Sequence, residues 1–281
     1  MTMPITRRTF FTVAGATTAA VAGARAFLSA QDYGGKKVPF ALQLYTIGGD
    51  LRRDMAGTLA AIAKLGYKGV EFAGFNNVSA KDIRKMLDDN GLQAIGCHTA
   101  LNTLQGDEFD RTVEFNKTIG NPRLIAPSLP GNYTNSRASI EAAADIFNAI
   151  DAKLKPLNMR TGFHCHPGEF RQVEGSTVWD IFFTRANKDV IMQCDLGHMG
   201  TAGADQVAYI NKYPGRAITV HVKPAHAAPL LGEAADTNKW PEIFKACEGV
   251  GGTEWYIIEY DGGNMDKVVR TMELLKRWGK V

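Results

Sequence analysis

The chain has 281 residues, of which 45% are hydrophobic and 22% charged, as is ordinary for a soluble globular protein with a sizeable core. Its 32 basic and 29 acidic residues give a formal net charge of +3. Because no low-complexity tract or block of like charge occurs, the composition argues against a disordered tail.

The first 30 residues have the pattern of an export signal. Arg7 and Arg8 are followed by a mildly apolar run, Phe11–Ala24, which is too short and too weakly apolar to span a bilayer. A twin arginine with phenylalanine two residues later resembles the signal of the twin-arginine export route. We expect cleavage between Arg25 and Asp32 and a periplasmic protein without stable membrane insertion. An uncleaved membrane anchor is the alternative.

Removal of this segment changes the charge balance. Arg7, Arg8 and Arg25 are the only charged residues before Gln31, so 32 less 3 leaves 29 basic residues against 29 acidic ones. The sequence pI near 8.6 therefore belongs to the precursor. The neutral mature chain gives no indication of a nucleic-acid partner.

From Pro39 onward, β-rich runs alternate with helical patterns. The predicted strands are Phe40–Tyr45, Lys68–Phe72, Gln93–His98, Arg123–Ala126, Arg160–His166, Val190–Asp195, Ala217–Val222 and Trp255–Tyr260. The predicted helices are Met55–Leu65, Ala80–Asn90, Glu108–Ile119, Ser139–Leu154, Thr177–Ala186, Ala204–Lys212, Trp240–Glu248 and Met265–Trp278. Helix caps are expected at Asp54, Ser79, Asp107 and Ser176.

This alternation predicts parallel βαβ units. Eight such units can close into a (β/α)8 barrel, a TIM barrel, which we expect to span residues 31–281 as one domain. A doubly wound open sheet is the alternative. It is disfavoured because the segment at the end of the first strand, Gln43–Gly49, lacks the G-x-G-x-x-G spacing of a dinucleotide-binding loop.

The four cysteines, Cys97, Cys165, Cys194 and Cys247, show no paired spacing. Three of them are adjacent to candidate site residues on strands, so strand alternation points them outward, between sheet and helices. We expect buried free thiols. An oxidising compartment leaves a disulfide open as the alternative.

Functional side chains of such a barrel come from the C-terminal ends of the strands and the loops that follow. The unusual polar residues of this sequence occur there: Glu71, His98, His164, His166, Glu169, Asp195, His198, His221, Lys223 and Glu259. For Glu71, a helix cap or lysine pair and a substrate contact are equal alternatives. His164 is expected to be an interior histidine with satisfied hydrogen bonds.

Four of these residues, Glu169, Asp195, His221 and Glu259, follow four consecutive strands and should converge on one side of the barrel mouth. Three carboxylates and one imidazole form a hard, oxygen-rich set that suits Mn, Mg or Co, with Zn as an alternative. Carboxylates held close together raise one another's pKa unless a cation neutralises them. The sequence therefore predicts a divalent metal site.

These residues lie in segments that resemble the xylose isomerase-like barrels of the sugar phosphate isomerase/epimerase type. That group includes ketose 3-epimerases, inosose dehydratases and, more distantly, endonuclease IV. The resemblance extends from about Phe40 to the C-terminus, and its clearest segments are Gly66–Glu71, Phe163–Phe170, Asp195–His198, Val220–Lys223 and Trp255–Asp261. It implies that the four residues named above bind the metal and that Glu169 and Glu259 also form an acid/base pair.

The resemblance further implies a metal-dependent isomerase or epimerase with a small carbohydrate as substrate. A metal polarises the carbonyl and adjacent hydroxyl of a ketose, one glutamate removes a proton from carbon, and the other can return it to the opposite face. His98 and His198 would hold substrate hydroxyls. The remaining substrate contacts are expected from Glu71, His166 and Lys223.

Two positions depart from the pattern of that group. Its usual His-x-Lys-Asp reads as His221–Pro224 here, and its common His-Asn-His reads as His164–His166. The missing aspartate leaves open a lyase or dehydratase, which begins with the same proton abstraction and then expels a leaving group.

A non-catalytic carbohydrate-binding barrel is a further alternative. An endonuclease IV-like nuclease is disfavoured, because Lys223–His226 offers a histidine without the Asp-x-His element that a three-metal site needs, and because the mature charge is zero. The sequence leaves open which sugar and metal are bound and whether the chain forms a homo-oligomer.

Overall fold

Eight short parallel strands close on one another in the computed structural model, which describes residues 35–281. The strands are β1 (Phe40–Gln43), β2 (Gly69–Phe72), β3 (Gln93–His98), β4 (Arg123–Ala126), β5 (Arg160–His164), β6 (Ile191–Asp195), β7 (Thr219–Val222) and β8 (Trp255–Ile258). Each strand pairs in parallel with its neighbours in sequence, and β8 pairs with β1. The predicted (β/α)8 barrel is therefore confirmed.

Helices alternate with these strands. They are α1 (Gly48–Arg53), α2 (Met55–Leu65), α3 (Ala80–Asp89), α4 (Glu108–Ile119), α5 (Arg137–Leu154), α6 (Val178–Arg185), α7 (Leu196–Thr201), α8 (Gln206–Lys212), α9 (Trp240–Ala246) and α10 (Met265–Arg277). All eight predicted helices are present, with end points that differ by up to two residues. The short helices α1 and α7 were not predicted.

Two of the four predicted helix caps are present. Asp54 and Ser79 accept hydrogen bonds from backbone N–H groups in the first turns of α2 and α3, as expected. Asp107 makes no such bond at α4. Thr177 caps α6 instead of Ser176, and the two residues form one strand of a two-stranded hairpin.

The barrel interior changes character along the strands. Toward the strand starts, two apolar clusters fill it: Ala41, Ile95, Trp255 and Ile257 in one, and Ile125, Ile191 and Ile218 in the other. Inward side chains recur every second residue, so β6 presents Ile191, then Gln193, then Asp195 to the interior. The interior thus becomes polar toward the C-terminal strand ends.

The four cysteines are buried and free, which confirms the expected thiols. The predicted signal segment, residues 1–30, lies outside the described residues. Between residues 35 and 281, no helix combines the length and the apolar character that crossing a membrane requires.

Candidate metal centre

Four buried side chains meet at the C-terminal end of the barrel. His164, Asp195 and His221 come from β5, β6 and β7, and Glu259 directly follows β8. One potential ligand atom from each lies within 4.8 Å of the atoms from the other three. Nδ1 of His221 is 2.8 Å from Oε2 of Glu259 and 3.8 Å from Oδ2 of Asp195, and Nε2 of His164 is 3.5 Å from the same Asp195 oxygen. We call these four residues the metal group.

Unsatisfied polar atoms of the metal group point to a cation. Among the described residues, both ring nitrogens of His164 and Oδ2 of Asp195 are buried without a hydrogen-bond partner, and Nδ1 of His221 lies 2.8 Å from Oε2 of Glu259 without hydrogen-bond geometry. Each buried polar atom left without a partner costs about 1–3 kcal/mol. A divalent ion bonded to one nitrogen of His164, to Oδ2 of Asp195 and to Nδ1 of His221 would remove most of that cost, so the residues present fit a metal site.

A second set of neighbouring atoms comes from His98, His164 and His221. It fits a metal less well, because Nε2 of His98 lies 2.9 Å from Oε1 of Gln193 and Nε2 of His221 lies 2.7 Å from Oε2 of Glu71. Those nitrogens already have partners. The set that contains the two carboxylates therefore describes the centre.

His164 enters the metal group and Glu169 does not. The chain leaves β5 after His164, and a 3-10 turn, Pro167–Phe170, carries Glu169 away from the strand end. Oε2 of Glu169 instead accepts a hydrogen bond of 2.7 Å from the backbone N–H of His166. The expectation that His164 has satisfied hydrogen bonds is wrong, whereas metal ligation by Glu169 stays a prediction.

Glu71 lies beside the metal group and forms a hydrogen bond with one of its members, His221. It is fully buried, and its carboxylate accepts hydrogen bonds of 2.8 Å from the side chains of Gln43 and Gln193. The third partner, Nε2 of His221, is on the side of the ring opposite the metal group. Such a carboxylate fixes the orientation of a metal-binding histidine. Among the described residues, the partners of Glu71 are two glutamines and a histidine rather than a lysine or a helix start, and its substrate contact stays a prediction.

Glu71 and His221 form a buried ion pair, and each shifts the pKa of the other. Burial opposes ionisation of Glu71, but His98 and His221 lower its pKa to about 2. Burial likewise disfavours the charged form of His221, but Glu71 and Glu259 raise its pKa to about 10. In the absence of a cation, the His221 imidazolium is thus the counter-charge of two carboxylates.

The other members of the metal group have pKa values set by burial and by each other. Burial lowers the pKa of His164 to about 3, so its ring is neutral at pH 7. Burial opposes ionisation of Asp195, yet the contact with His164 and the charges of His198 and Lys223 lower its pKa to about 2. The centre therefore offers a neutral imidazole beside an ionised carboxylate, the forms that bind metals.

Lys223 holds the second oxygen of Glu259. Its Nζ lies 3.0 Å from Oε1 of Glu259, 2.8 Å from Oδ2 of Asp261 and 3.2 Å from Nε2 of His198. Burial would lower the pKa of Lys223, but Asp195, Glu259 and Asp261 raise it. The ammonium therefore stays charged, and it leaves Oε2 of Glu259 facing the metal group.

Three further histidines surround the metal group. His98, His166 and His198 are half-buried. The ring of His166 lies 4.8 Å from that of His198 and 4.9 Å from that of His164, measured between centroids. Partly exposed imidazoles beside a buried ligand set can donate to or accept from substrate hydroxyls. Their predicted substrate contacts, and that of Lys223, stay predictions.

Comparison with known proteins identifies the type of barrel. The sequence matches the family described as xylose isomerase-like TIM barrel over residues 59–278. No curated protein matches the chain. A solved sugar phosphate isomerase/epimerase from Parabacteroides distasonis is 24% identical, with a TM-score of 0.75 over 90% of this chain and 100% of that one.

Two other solved structures share the fold at lower identity. L-ribulose 3-epimerase is 15% identical, with a TM-score of 0.61 over 86% of each chain. The IolI protein, solved with a bound zinc atom, is 14% identical, with a TM-score of 0.65 over 86% of this chain and 98% of that one.

Proposed function

The chain belongs to the xylose isomerase-like TIM barrel family, and from that premise we propose that it is a divalent-metal-dependent isomerase or epimerase of a sugar or keto-sugar. The observation that carries the proposal is the metal group: four buried ligand atoms within 4.8 Å of one another, three of them without a hydrogen-bond partner. Clusters of this kind at a barrel's C-terminal end are typical of catalytic centres.

His164, Asp195, His221 and Glu259 would hold the ion. When bound, a divalent ion supplies a Lewis acid that polarises a carbonyl and its neighbouring hydroxyl and so acidifies the adjacent carbon-bound hydrogen. Two imidazoles and two carboxylates favour Mn, Co or Zn over Mg, because Mg prefers oxygen ligands throughout. The zinc in the IolI structure is consistent with that preference.

Proton transfer at carbon is assigned to Glu169 and Glu259. Burial opposes ionisation of Glu259, but His221 and Lys223 hold its pKa well below the usual range, so this carboxylate is ionised at neutral pH. Burial raises the pKa of Glu169. A raised pKa brings a carboxyl closer to the pH at which it exchanges protons efficiently. One carboxylate would remove the proton, and the other would return a proton from the opposite face in an epimerase.

The remaining polar residues would orient the sugar. His98, His166 and His198 border the metal group with partly exposed rings, and each can bond a hydroxyl. The ammonium of Lys223, held by Glu259, Asp261 and His198, would reach a substrate oxygen by exchanging its contact with His198 for one with the sugar. Several directional contacts of this kind hold the reacting carbon beside its base, which is the main requirement for the chemical step.

Proton exchange in heavy water tests the proposal. The Mn-loaded protein is incubated with ketoses and 3-keto-glycosides in D2O, and carbon-bound deuterium is followed by NMR. We expect deuterium beside the carbonyl of one substrate, and a loss of about 10²–10⁴ in the exchange rate for Glu259→Gln, the usual contribution of a general base.

The products separate the alternative reactions. Product that forms without deuterium at carbon would contradict proton abstraction and indicate a hydride shift. Loss of a substituent after exchange would identify a lyase. Sugar binding without exchange or turnover in any substrate would leave a carbohydrate-binding barrel.

A further inference from the structure

A cavity of about 220 Å³ adjoins the metal group on the side of β6, β7 and β8. His198 and Lys223 line it and also belong to the surroundings of the metal group, since Nζ of Lys223 lies 3.0 Å from Glu259 and 3.8 Å from Asp195. The volume is below the 300–1,000 Å³ of typical drug-sized sites. It therefore suits a small ligand, or one end of a ligand whose other end reaches the metal group.

One cation on the cavity wall has no counter-ion. Lys267, in the first turn of α10, is half-buried, and its Nζ lies 5.4 Å from the centre of the Tyr260 ring. A 2.7 Å hydrogen bond between the hydroxyls of Tyr260 and Thr271 fixes that ring. Across residues 35–281, no carboxylate comes within ion-pair distance of Lys267, whereas Lys223 on the same wall pairs with Glu259 and Asp261.

The charges around the cavity leave an excess of one positive charge. With a divalent ion bound, Asp195 and Glu259 are balanced by the ion, and Asp261 is balanced by Lys223. Lys267 remains. A cation fixed beside an aromatic ring, in a cavity that adjoins a catalytic centre, can pair with one anionic group of a ligand.

A loop that lines the same cavity offers a further hydrogen-bonding group. His226 and Ala227 line the cavity with φ of 53° and 52°, in the left-handed region that non-glycine residues rarely occupy. The backbone N–H of His226 donates a 2.9 Å hydrogen bond to Oγ1 of Thr201, which holds the loop. Residues kept in such conformations, at a cost of about 1–3 kcal/mol each, concentrate at ligand sites. The exposed His226 ring can bond an anion that enters the cavity.

We infer that this cavity is a subsite for an anionic group, and that the substrate is an acidic sugar whose carboxylate or phosphate pairs with Lys267. The inference rests on the proposed function, because the neutral part of the sugar is placed at the metal group. It narrows the substrate class from sugars in general to sugars that carry one anionic substituent.

Binding measurements with matched sugars test this assignment. The dissociation constants of D-glucuronate, D-glucose 6-phosphate and D-glucose are measured by calorimetry with the full-length, Mn-loaded protein. We expect at least one anionic sugar to bind about tenfold or more tightly than D-glucose, and Lys267→Met to reduce that ratio about tenfold, as befits the loss of one charged hydrogen bond. Preference for glucuronate or for the phosphate then identifies the anionic group.

Two further variants control for folding and for general charge. Lys267→Arg should retain most of the preference, and Lys276→Met, which removes an exposed charge from the last turn of the same helix, should retain all of it. Equal affinity for all three sugars, or an unchanged ratio in Lys267→Met, would overturn the inference. Binding can be measured without turnover. Lys267-dependent binding without proton exchange would therefore contradict the proposed reaction but not this inference. Proton exchange of neutral ketoses that is unaffected by Lys267→Met would contradict this inference but not the proposed reaction.

Discussion

His164 and Glu169 are the two candidates for the fourth metal ligand, and they differ in the donor atom that they offer. A histidine there gives two nitrogen and two oxygen donors, whereas a glutamate gives three carboxylates and one imidazole. His164 is buried with both ring nitrogens unpartnered, while Oε2 of Glu169 is bonded to the backbone of His166. On this basis we propose that His164 is the metal ligand and that Glu169 transfers protons.

Paired substitutions distinguish these two roles. We expect His164→Ala to weaken metal binding by at least about 100-fold, more than the 10–100-fold typical of residues that only support a ligand. Glu169→Gln should change metal affinity by less than about threefold and slow proton exchange by about 10²–10⁴. Titration of each apo-protein with Mn, with circular dichroism as the folding control, provides the measurement. Weaker metal binding in Glu169→Gln than in His164→Ala would reverse the assignment.

We expect Glu71 to strengthen metal binding through His221, without contact with the ion. Glu71→Gln keeps the side-chain volume but removes the charge that fixes His221. It also replaces one acceptor with an N–H₂ group, which faces a donor of either Gln43 or Gln193. Metal affinity should fall by about 10–100-fold. Glu254→Gln, which removes an exposed carboxylate paired with Arg123, is the matched control and should leave the metal titration unchanged. A Glu71→Gln protein with native metal affinity would contradict the supporting role.

The sequence predicts three of the four members of the metal group because Asp195, His221 and Glu259 stand at strand ends in a fold whose sites form there. It does not predict the fourth member, His164, and instead names Glu169, whose metal ligation stays a prediction. Gly162 and His164 share the inward parity of β5, and a Cβ at Gly162 would meet the interior side chains of Ile125 and Ile191. Parity alone would have favoured His164.

At the scale of single strands and helices, the alternating pattern predicts element type well and element ends less well. A boundary depends on one local hydrogen bond. Gln43 accepts a hydrogen bond from the N–H of Tyr45, and β1 ends there, two residues before its predicted end. Asp205 caps α8, which begins two residues after its predicted start. The short helix α7 is absent from the prediction because six residues give too little periodicity, although Asp195 caps it through the N–H of His198.

An irregularity between β2 and β3 makes room for Glu71. Val70 pairs with Ala94 and Glu71 with Gly96, so one residue of β3 has no partner. A Cβ at Gly96 would lie 2.4 Å from Oε1 of Glu71 and 3.2 Å from its carboxyl carbon. Such bulges commonly redirect a side chain next to an active site.

Substitution of this glycine tests that coupling. Gly96→Ala should displace the Glu71 carboxylate, weaken metal binding about as much as Glu71→Gln does, and lower the free energy of unfolding by roughly 1–3 kcal/mol, the usual cost of overpacking. Gly131→Ala, at an exposed turn where a Cβ meets nothing within 4 Å, is the control. Native metal affinity in Gly96→Ala would show that Glu71 tolerates displacement. Chemical denaturation and metal titration of both variants supply the data.

For the molecule as a whole, we expect barrel closure and metal binding to be linked. The residues of the metal group lie between positions 164 and 259, on or directly after four different strands, so the unfolded chain has no preformed site. A ligand that binds only the folded state at 100 times its dissociation constant adds about 2.7 kcal/mol of stability. Chelation should therefore lower the melting temperature by about 5–10 °C for a domain of this size, and Mn or Zn should restore it. An unchanged melting temperature after verified metal removal would contradict the linkage.

The metal-free protein should also lose stability as the pH rises. The pKa of His221 is raised in the folded state to about 10, so folding gains from the imidazolium fully below pH 6.5, and this gain is lost as pH rises toward 10. Metal should suppress this trend, because a bound ion replaces the proton at Nδ1. Unfolding of the chelated and the metal-loaded protein between pH 7 and 10 shows whether the two slopes differ in this direction.

We propose that the whole molecule is exported after folding. The motif that supports export, Arg7-Arg8 before a weakly apolar run, lies outside the described residues and stays a prediction. Because the metal group exists only once β5 to β8 are assembled, a protein loaded with metal before export must cross the membrane folded, which is what the twin-arginine route allows. Replacement of Arg7-Arg8 by Lys-Lys should leave the precursor in the cytoplasm, whereas Arg25→Lys should be exported normally. Cell fractionation, with N-terminal sequencing of the exported protein, measures both outcomes. Unchanged export of the Lys-Lys variant would point to the general secretory route, and an intact N-terminus in the membrane fraction would point to an anchor.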